Sequence, residues 1–89
     1  MANNVQFDDV YKKVKEVIAE VLATDEKELD LETKIVDDLG AESLDIITLL
    51  MEFEDAFDRK IPDEDAEKLI TIGDAVRYIM GIIEEPSEA

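Results

Sequence analysis

Apolar residues recur in steps of three and four along three stretches of this chain, and nowhere do they alternate over a useful length. That spacing puts them on one side of a helix and gives a sheet nothing to bury. In the first stretch Phe7, Val10, Tyr11, Val14, Val17, Ile18, Val21 and Leu22 form the stripe, with Lys12, Lys13, Lys15, Glu16 and Glu20 opposite. No Gly or Pro interrupts it and Asn4 is a candidate cap, so a helix is expected from Phe7 to about Ala23. A second is expected from Ser43 to about Phe57, where Leu44, Ile47, Leu50, Phe53 and Phe57 keep the spacing, Ile46 and Leu49 widen the stripe, and Glu54 departs from it. Pro62 disfavours helix at Ile61. Asp63 is a candidate cap for a short third helix, about Glu64 to Leu69, which needs tertiary support at that length. Thr71-Ile72-Gly73-Asp74 resembles a capping box with Asp in place of Glu, and opens a last helix burying Ile72, Ala75, Val76, Ile79 and Ile83.

Between the first two helices lie about 18 residues, Thr24 to Ala41, long for a connection in a small domain. Leu29, Leu31, Ile35 and Leu39 could pin it to a core. The expected architecture is all-α: a small four-helix bundle with a long first loop and a short third helix. One domain spans residues 1–89, with an ordered core of about 5–84 and a frayed tail over 85–89.

Charge narrows what such a bundle can do. There are 25 Asp and Glu against 9 Lys and Arg, a net of −16, yet 46% of residues are apolar, enough for a packed core. A surface this acidic repels phosphates, so neither nucleic acid nor an anionic membrane is an expected partner, whereas basic proteins are. Cys and His are both absent, which removes the thiolate, the usual base near neutral pH and the commonest metal ligands. Asp63-Glu64-Asp65 is too short for a calcium loop, and Lys68 stands where that loop needs Gly, so no metal site is expected. No apolar run approaches the ~20 residues of a membrane span. Met1-Ala2-Asn3-Asn4 lacks the charged and apolar regions of a signal peptide, so a soluble monomer in the cytoplasm is expected.

One stretch carries chemistry. In Asp38-Leu39-Gly40-Ala41-Glu42-Ser43-Leu44-Asp45 a Gly-containing loop delivers a Ser to the start of an apolar helix. Free N–H groups and partial positive charge there suit a phosphate ester. The same pattern suits a Ser that does no more than cap the helix, and local spacing leaves both readings open.

The stretch resembles the DLGADSLD motif of acyl carrier proteins. Glu52-Phe53-Glu54-Asp55-Ala56-Phe57 followed by Ile61-Pro62-Asp63-Glu64-Asp65-Ala66-Glu67-Lys68 is similar to the second signature of that family, at the right separation. The resemblance runs from about Phe7 to Ile83 and is greatest to the freestanding carriers of dissociated fatty acid synthesis. It implies that Ser43 receives 4′-phosphopantetheine from coenzyme A, through a phosphopantetheinyl transferase (holo-carrier synthase) using Mg²⁺. The arm's thiol then carries acyl groups as thioesters between acyltransferases, ketosynthases, reductases and dehydratases. The chain itself catalyses nothing. A carrier of aminoacyl or polyketide cargo is the alternative.

Residues 37–67 hold 12 acidic and 2 basic side chains, a net of −10 centred on Ser43. Glu42, Asp45, Glu52, Asp55, Asp63, Glu64 and Glu67 are candidate docking residues for basic partner surfaces, with Leu44 and Met51 as apolar contacts. The resemblance further implies a channel for the acyl chain, for which Ile47, Leu50, Phe53, Ile61, Ala66, Ile70 and Ile79 are candidates. Four positions depart from the family pattern: Glu42 for the usual Asp, Thr48 for a residue that is often acidic, and Arg59 and Lys60 for residues that are neutral or acidic.

Overall fold

The computed structural model describes residues 7–84. Three α-helices carry the fold: α1 (Phe7–Leu22), α2 (Ser43–Phe57) and α3 (Ile72–Glu84). Two 3₁₀ segments, Glu26–Glu28 and Asp63–Lys68, lie in the connections. No β-strand occurs among the described residues. Asn4 and residues 85–89 lie outside them, as does the side chain of Ile83.

α1 packs against both α2 and α3. It buries Val10, Val14, Val17 and Ile18, the centre of the expected stripe. Leu49, Leu50 and Phe53 meet them from α2, and Ile72, Ala75, Val76 and Ile79 from α3. Each large side chain buried in this way contributes about 1.5–3 kcal/mol. Buried polar side chains are absent among the described residues, so the core is wholly apolar.

The expected third helix is a 3₁₀ segment, so the bundle has three α-helices rather than four. Asp65 N–H donates to the Pro62 carbonyl at 3.0 Å and Leu69 N–H to that of Ala66 at 3.0 Å, both three residues back. Six residues cannot recover the cost of nucleating an α-helix, and the tighter turn is the usual outcome. Asp63 is not its cap. Pro62 occupies that position, and Asp63 is already within the turn. The segment is held from α3, where Tyr78 donates its hydroxyl to Asp65, and within itself by the Lys68–Asp65 pair at 3.3 Å. The Tyr78 hydroxyl, with help from Lys68, holds the Asp65 carboxyl below the ordinary carboxylate range.

Glu54 explains its own place on an apolar stripe. Its half-buried carboxylate accepts from Ile61 N–H at 2.8 Å, seven residues on, and closes the turn after α2. Asp58 ends the helix in the left-handed conformation, with its N–H on the Glu54 carbonyl. Ile61 is thereby drawn into the core.

The long loop is a built element. Leu29 and Ile35 are fully buried, and Leu31 and Leu39 pack against the core. Ile35 N–H donates to the Ile70 carbonyl, Ile72 N–H to Thr33 and Gly73 N–H to Leu31, each at 2.9 Å. The loop is thus stitched, antiparallel, to the chain entering α3. Gly73 suits this close approach, since a Cβ would stand 3.0 Å from the Leu31 carbonyl oxygen, a tight contact.

The capping box at α3 forms as expected. Asp74 N–H donates to Thr71 Oγ1 at 3.0 Å, and Thr71 N–H to Asp74 Oδ2 at 3.1 Å. The Thr71 N–H, with Arg77 beside it, lowers the Asp74 carboxyl below its ordinary range. A carboxyl lowered on folding stabilises above its unfolded pKa, and that contribution is lost as pH falls through the folded one. Thr71→Ala is expected to cost about 1 kcal/mol in urea denaturation. Asp74→Asn is expected to be less stable than Glu32→Gln, which removes a carboxylate making no hydrogen bond, at neutral pH. The gap between the two should close below about pH 4. A gap independent of pH would show that the Asp74 charge does not contribute.

Candidate functional site

The stitched loop delivers the chain to α2 in a fixed way. Lys34 N–H donates to Asp38 Oδ2 at 2.8 Å, and the Lys34 carbonyl accepts from Asp38 and Leu39 N–H at 2.9 and 3.2 Å. Gly40 N–H bonds to the Val36 carbonyl at 2.9 Å and Ala41 N–H to that of Ile35 at 3.3 Å. Gly40 has φ +73°, left-handed backbone that a side chain strains, and it reverses the chain there. Ala41 turns into the core and Glu42 is extended, so Ser43 emerges as the first residue of α2.

The helix start leaves Ser43 free. Glu42 is the N-cap; its N–H donates to Asp45 Oδ2 at 3.0 Å and its carbonyl accepts from Ile46 N–H at 3.0 Å. The cap position is thus held by Glu42 and tied back by Asp45, and Ser43 takes no part in it. The Ser43 side chain is exposed, and its hydroxyl makes no hydrogen bond among the described residues. Of the two readings of this Ser, capping is the one the geometry disfavours.

Ser43 stands on the rim of an open groove of about 490 Å³. The loop contributes Lys34, Val36 and Asp37, and α2 contributes Ile46 and Ile47 beside Ser43. The 3₁₀ segment and the two residues after it contribute Ala66, Glu67, Leu69 and Ile70. Of the residues expected to line an acyl channel, Ile47, Ala66 and Ile70 line this groove. Leu50, Phe53, Ile61 and Ile79 lie behind it in the closed core. Lys34, Val36, Asp37, Ile46 and Leu69 are additions that sequence reasoning misses. Val36 carries a faint signal as an apolar residue in a polar loop, but Lys34 and Asp37 carry none, because only the backbone pairing brings them to α2.

Of the candidate docking residues Glu67 lines the groove, whereas Glu52 and Asp55 line a hollow shared with α1, and both of these and Met51 line another at the far end of α2. Glu42, Glu52, Asp55, Asp63, Glu64 and Glu67 are exposed, and Asp45 is half-buried beside its partner. Leu44 is 77% exposed and Met51 61%, far more than large apolar side chains are in a core. Arg59 and Lys60 are exposed at the other end of α2, and Thr48 donates its hydroxyl to the Leu44 carbonyl at 3.0 Å. Among the described residues no group of three or more carboxylates is placed to hold a metal ion.

The sequence model of the phosphopantetheine attachment site matches residues 12–79, a span that contains the whole groove. An acyl carrier protein of Clostridium acetobutylicum is 49% identical over 76 residues, 85% of this chain and 99% of that protein. The chain belongs to the acyl carrier protein family. Members of this family are carriers rather than enzymes, and their prosthetic group is covalently attached 4′-phosphopantetheine. No helix among the described residues is long and apolar enough to cross a membrane.

An exposed Ser at a helix start, beside a groove, fits such a group. The fit depends on the turn at Gly40. Gly40→Ala is expected to cost about 1–2 kcal/mol, the strain of a Cβ in left-handed backbone, even though that Cβ would touch nothing. An unchanged urea midpoint would show that the loop reaches α2 by another route.

Proposed function

We propose that Ser43 carries 4′-phosphopantetheine and that the chain shuttles acyl groups between enzymes of fatty acid or related biosynthesis. The observation that carries this reading is the Ser43 hydroxyl. It is exposed, spends no hydrogen bond on capping, and sits at the mouth of an apolar groove within the matched family span. When bound, the group supplies a thiol that holds acyl chains as thioesters, which a chain with no Cys cannot supply itself.

The residues divide the work. Ser43 Oγ forms the new P–O bond as its proton leaves, and the P–O bond to the nucleotide half of coenzyme A breaks. The N–H groups of the first turn of α2 face the resulting anion. Ile47, Ala66 and Ile70 offer the first apolar surface to a cargo chain, where each buried CH₂ contributes about 0.8 kcal/mol. Leu50, Phe53, Ile61 and Ile79 extend that surface if the helices part. In the four-helix plan of the family, Asp63–Lys68 takes the place of the short third helix.

Docking uses acids on the surface. Glu42, Asp45, Glu52, Asp55, Asp63, Glu64 and Glu67 meet basic patches on the transferase and on the synthesis enzymes, with Leu44 and Met51 filling apolar hollows between them. Exposed pairs are worth only ~0–1 kcal/mol each, which suits quick exchange among several partners. The chain works as a monomer in the cytoplasm.

Mass spectrometry after incubation with coenzyme A and a phosphopantetheinyl transferase tests the attachment. The chain is expected to gain one phosphopantetheine, and Ser43→Ala none; modification that survives Ser43→Ala would overturn the assignment. Loading assays with fatty acyl, aminoacyl and polyketide transferring enzymes identify the cargo. Affinity for a fatty acid synthesis partner is expected to fall steadily from low to physiological salt. A flat response would remove the electrostatic account of docking.

A further inference from the structure

Lys34 has no role in the reading so far, yet its position is unusual. Of the chain's 9 basic residues, Lys13, Lys68 and Arg77 pair with carboxylates and Lys15 lies over the Tyr11 ring. Lys34, like Lys12, Lys27, Arg59 and Lys60, makes no ion pair among the described residues, and its place in the groove is what sets it apart. Among the residues that line the groove beside Ser43 it is the sole cation, and Asp37 and Glu67 are the anions.

Its backbone is fixed on both sides. Thr33 and Ile35 are bonded to Ile72 and Ile70, and Lys34 itself makes three bonds to Asp38 and Leu39. The bonds from Gly40 to Val36 and from Ala41 to Ile35 extend this order to the start of α2. The stem of Lys34 therefore starts from a set place relative to Ser43, and its flexible end has the shared groove to move in.

We propose that Lys34 holds the phosphodiester of the arm on Ser43 against the groove mouth, so that the arm lies across the groove instead of free in solvent. This rests on Ser43 being the attachment site. A phosphodiester there brings a negative charge among Asp37, Asp38, Glu42, Asp45 and Glu67, all of which repel it. The first turn of α2 attracts it from one side and Lys34 from across the groove. An arm held this way directs its far end over Ile47, Ala66 and Ile70. A basic partner that docks on the surrounding acids brings cations of its own to the phosphodiester. Those compete with Lys34 and free the arm to swing out, so release is tied to docking.

The test is ³¹P NMR of the holo-protein, in which the phosphodiester is the sole phosphorus. The wild-type resonance is expected to lie away from that of the same phosphodiester in the urea-unfolded holo-protein and to move toward it at about 1 M salt, where the screening length is about 3 Å. Lys34→Gln should move it the same way at low salt, with a loss of at most about fivefold in the ratio of held to free arm. Lys34→Arg should restore it. Lys12→Gln, which removes an exposed cation from α1, should leave it in place. A resonance that Lys34→Gln does not move, or that Lys12→Gln moves equally, overturns the role of Lys34 and leaves Ser43 as the attachment site. A protein that gains no phosphorus resonance at all overturns both.

Discussion

The backbone pairing between residues 31–35 and 70–73 is the constraint on which the rest of the structure depends. Three hydrogen bonds of 2.9 Å, with Ile35 fully buried between them, tie the long loop to the entry of α3. Without that tie the loop would be a flexible tether, and the start of α2 could point anywhere. With it, the loop becomes one wall of a groove, the residues before α3 become the other, and the first turn of α2 is held between them. Gly73 gives way to the Leu31 carbonyl so that the two segments can approach. The tie carries no chemistry of its own, but it sets where the chemistry can occur.

A small core has to hold this arrangement against a net charge of −16. Self-repulsion favours expansion, and burial of a few large side chains opposes it. The helix ends show how the two are reconciled. Asp45 in the first turn of α2 and Asp74 in that of α3 accept from the N–H groups of Glu42 and Thr71, so negative charges sit where the helix dipole is positive. Asp65 is bonded to Tyr78 and Lys68, and Glu54 closes a turn. These four carboxylates support the fold, whereas Asp37, Asp38, Glu42 and Glu67 are exposed near Ser43.

The helices are legible in the sequence because their stripes are long. The start of α2 at Ser43 and its end at Phe57 agree with spacing, Pro62 and the cap motif. The short segment after Pro62 reads in sequence as a capped helix and is not one, because the turn already begins at Asp63 with Pro62 in the cap position. The Thr71–Asp74 box is legible because both halves lie within four residues. Motif and helix end make Ser43 the candidate, whereas the groove beside it is legible only in part. Ile47, Ala66 and Ile70 carry the apolar signal, but the choice between lining a groove and filling a core depends on how far the 3₁₀ segment stands from α2. Lys34 and Val36 reach the site because Lys34 pairs with Thr71, far along the chain, and no local pattern encodes such a pairing.

The exposed apolar residues raise a last physical question. Val36, Ile47 and Ile70 stand exposed in the groove beside Ser43, with Leu44 next to it in sequence, and a patch of that kind ordinarily drives self-association. Here the carboxylates around it act as a filter. Two copies that bring these patches together also bring two sets of like charges together at short range, and the repulsion grows as the apolar gain does. A basic partner meets the reverse situation: the charges draw it in, and the apolar side chains add contact once water is displaced. The same acids that weaken the fold therefore oppose contact between two copies of an uncovered apolar surface next to Ser43 and favour contact with a surface of the opposite charge.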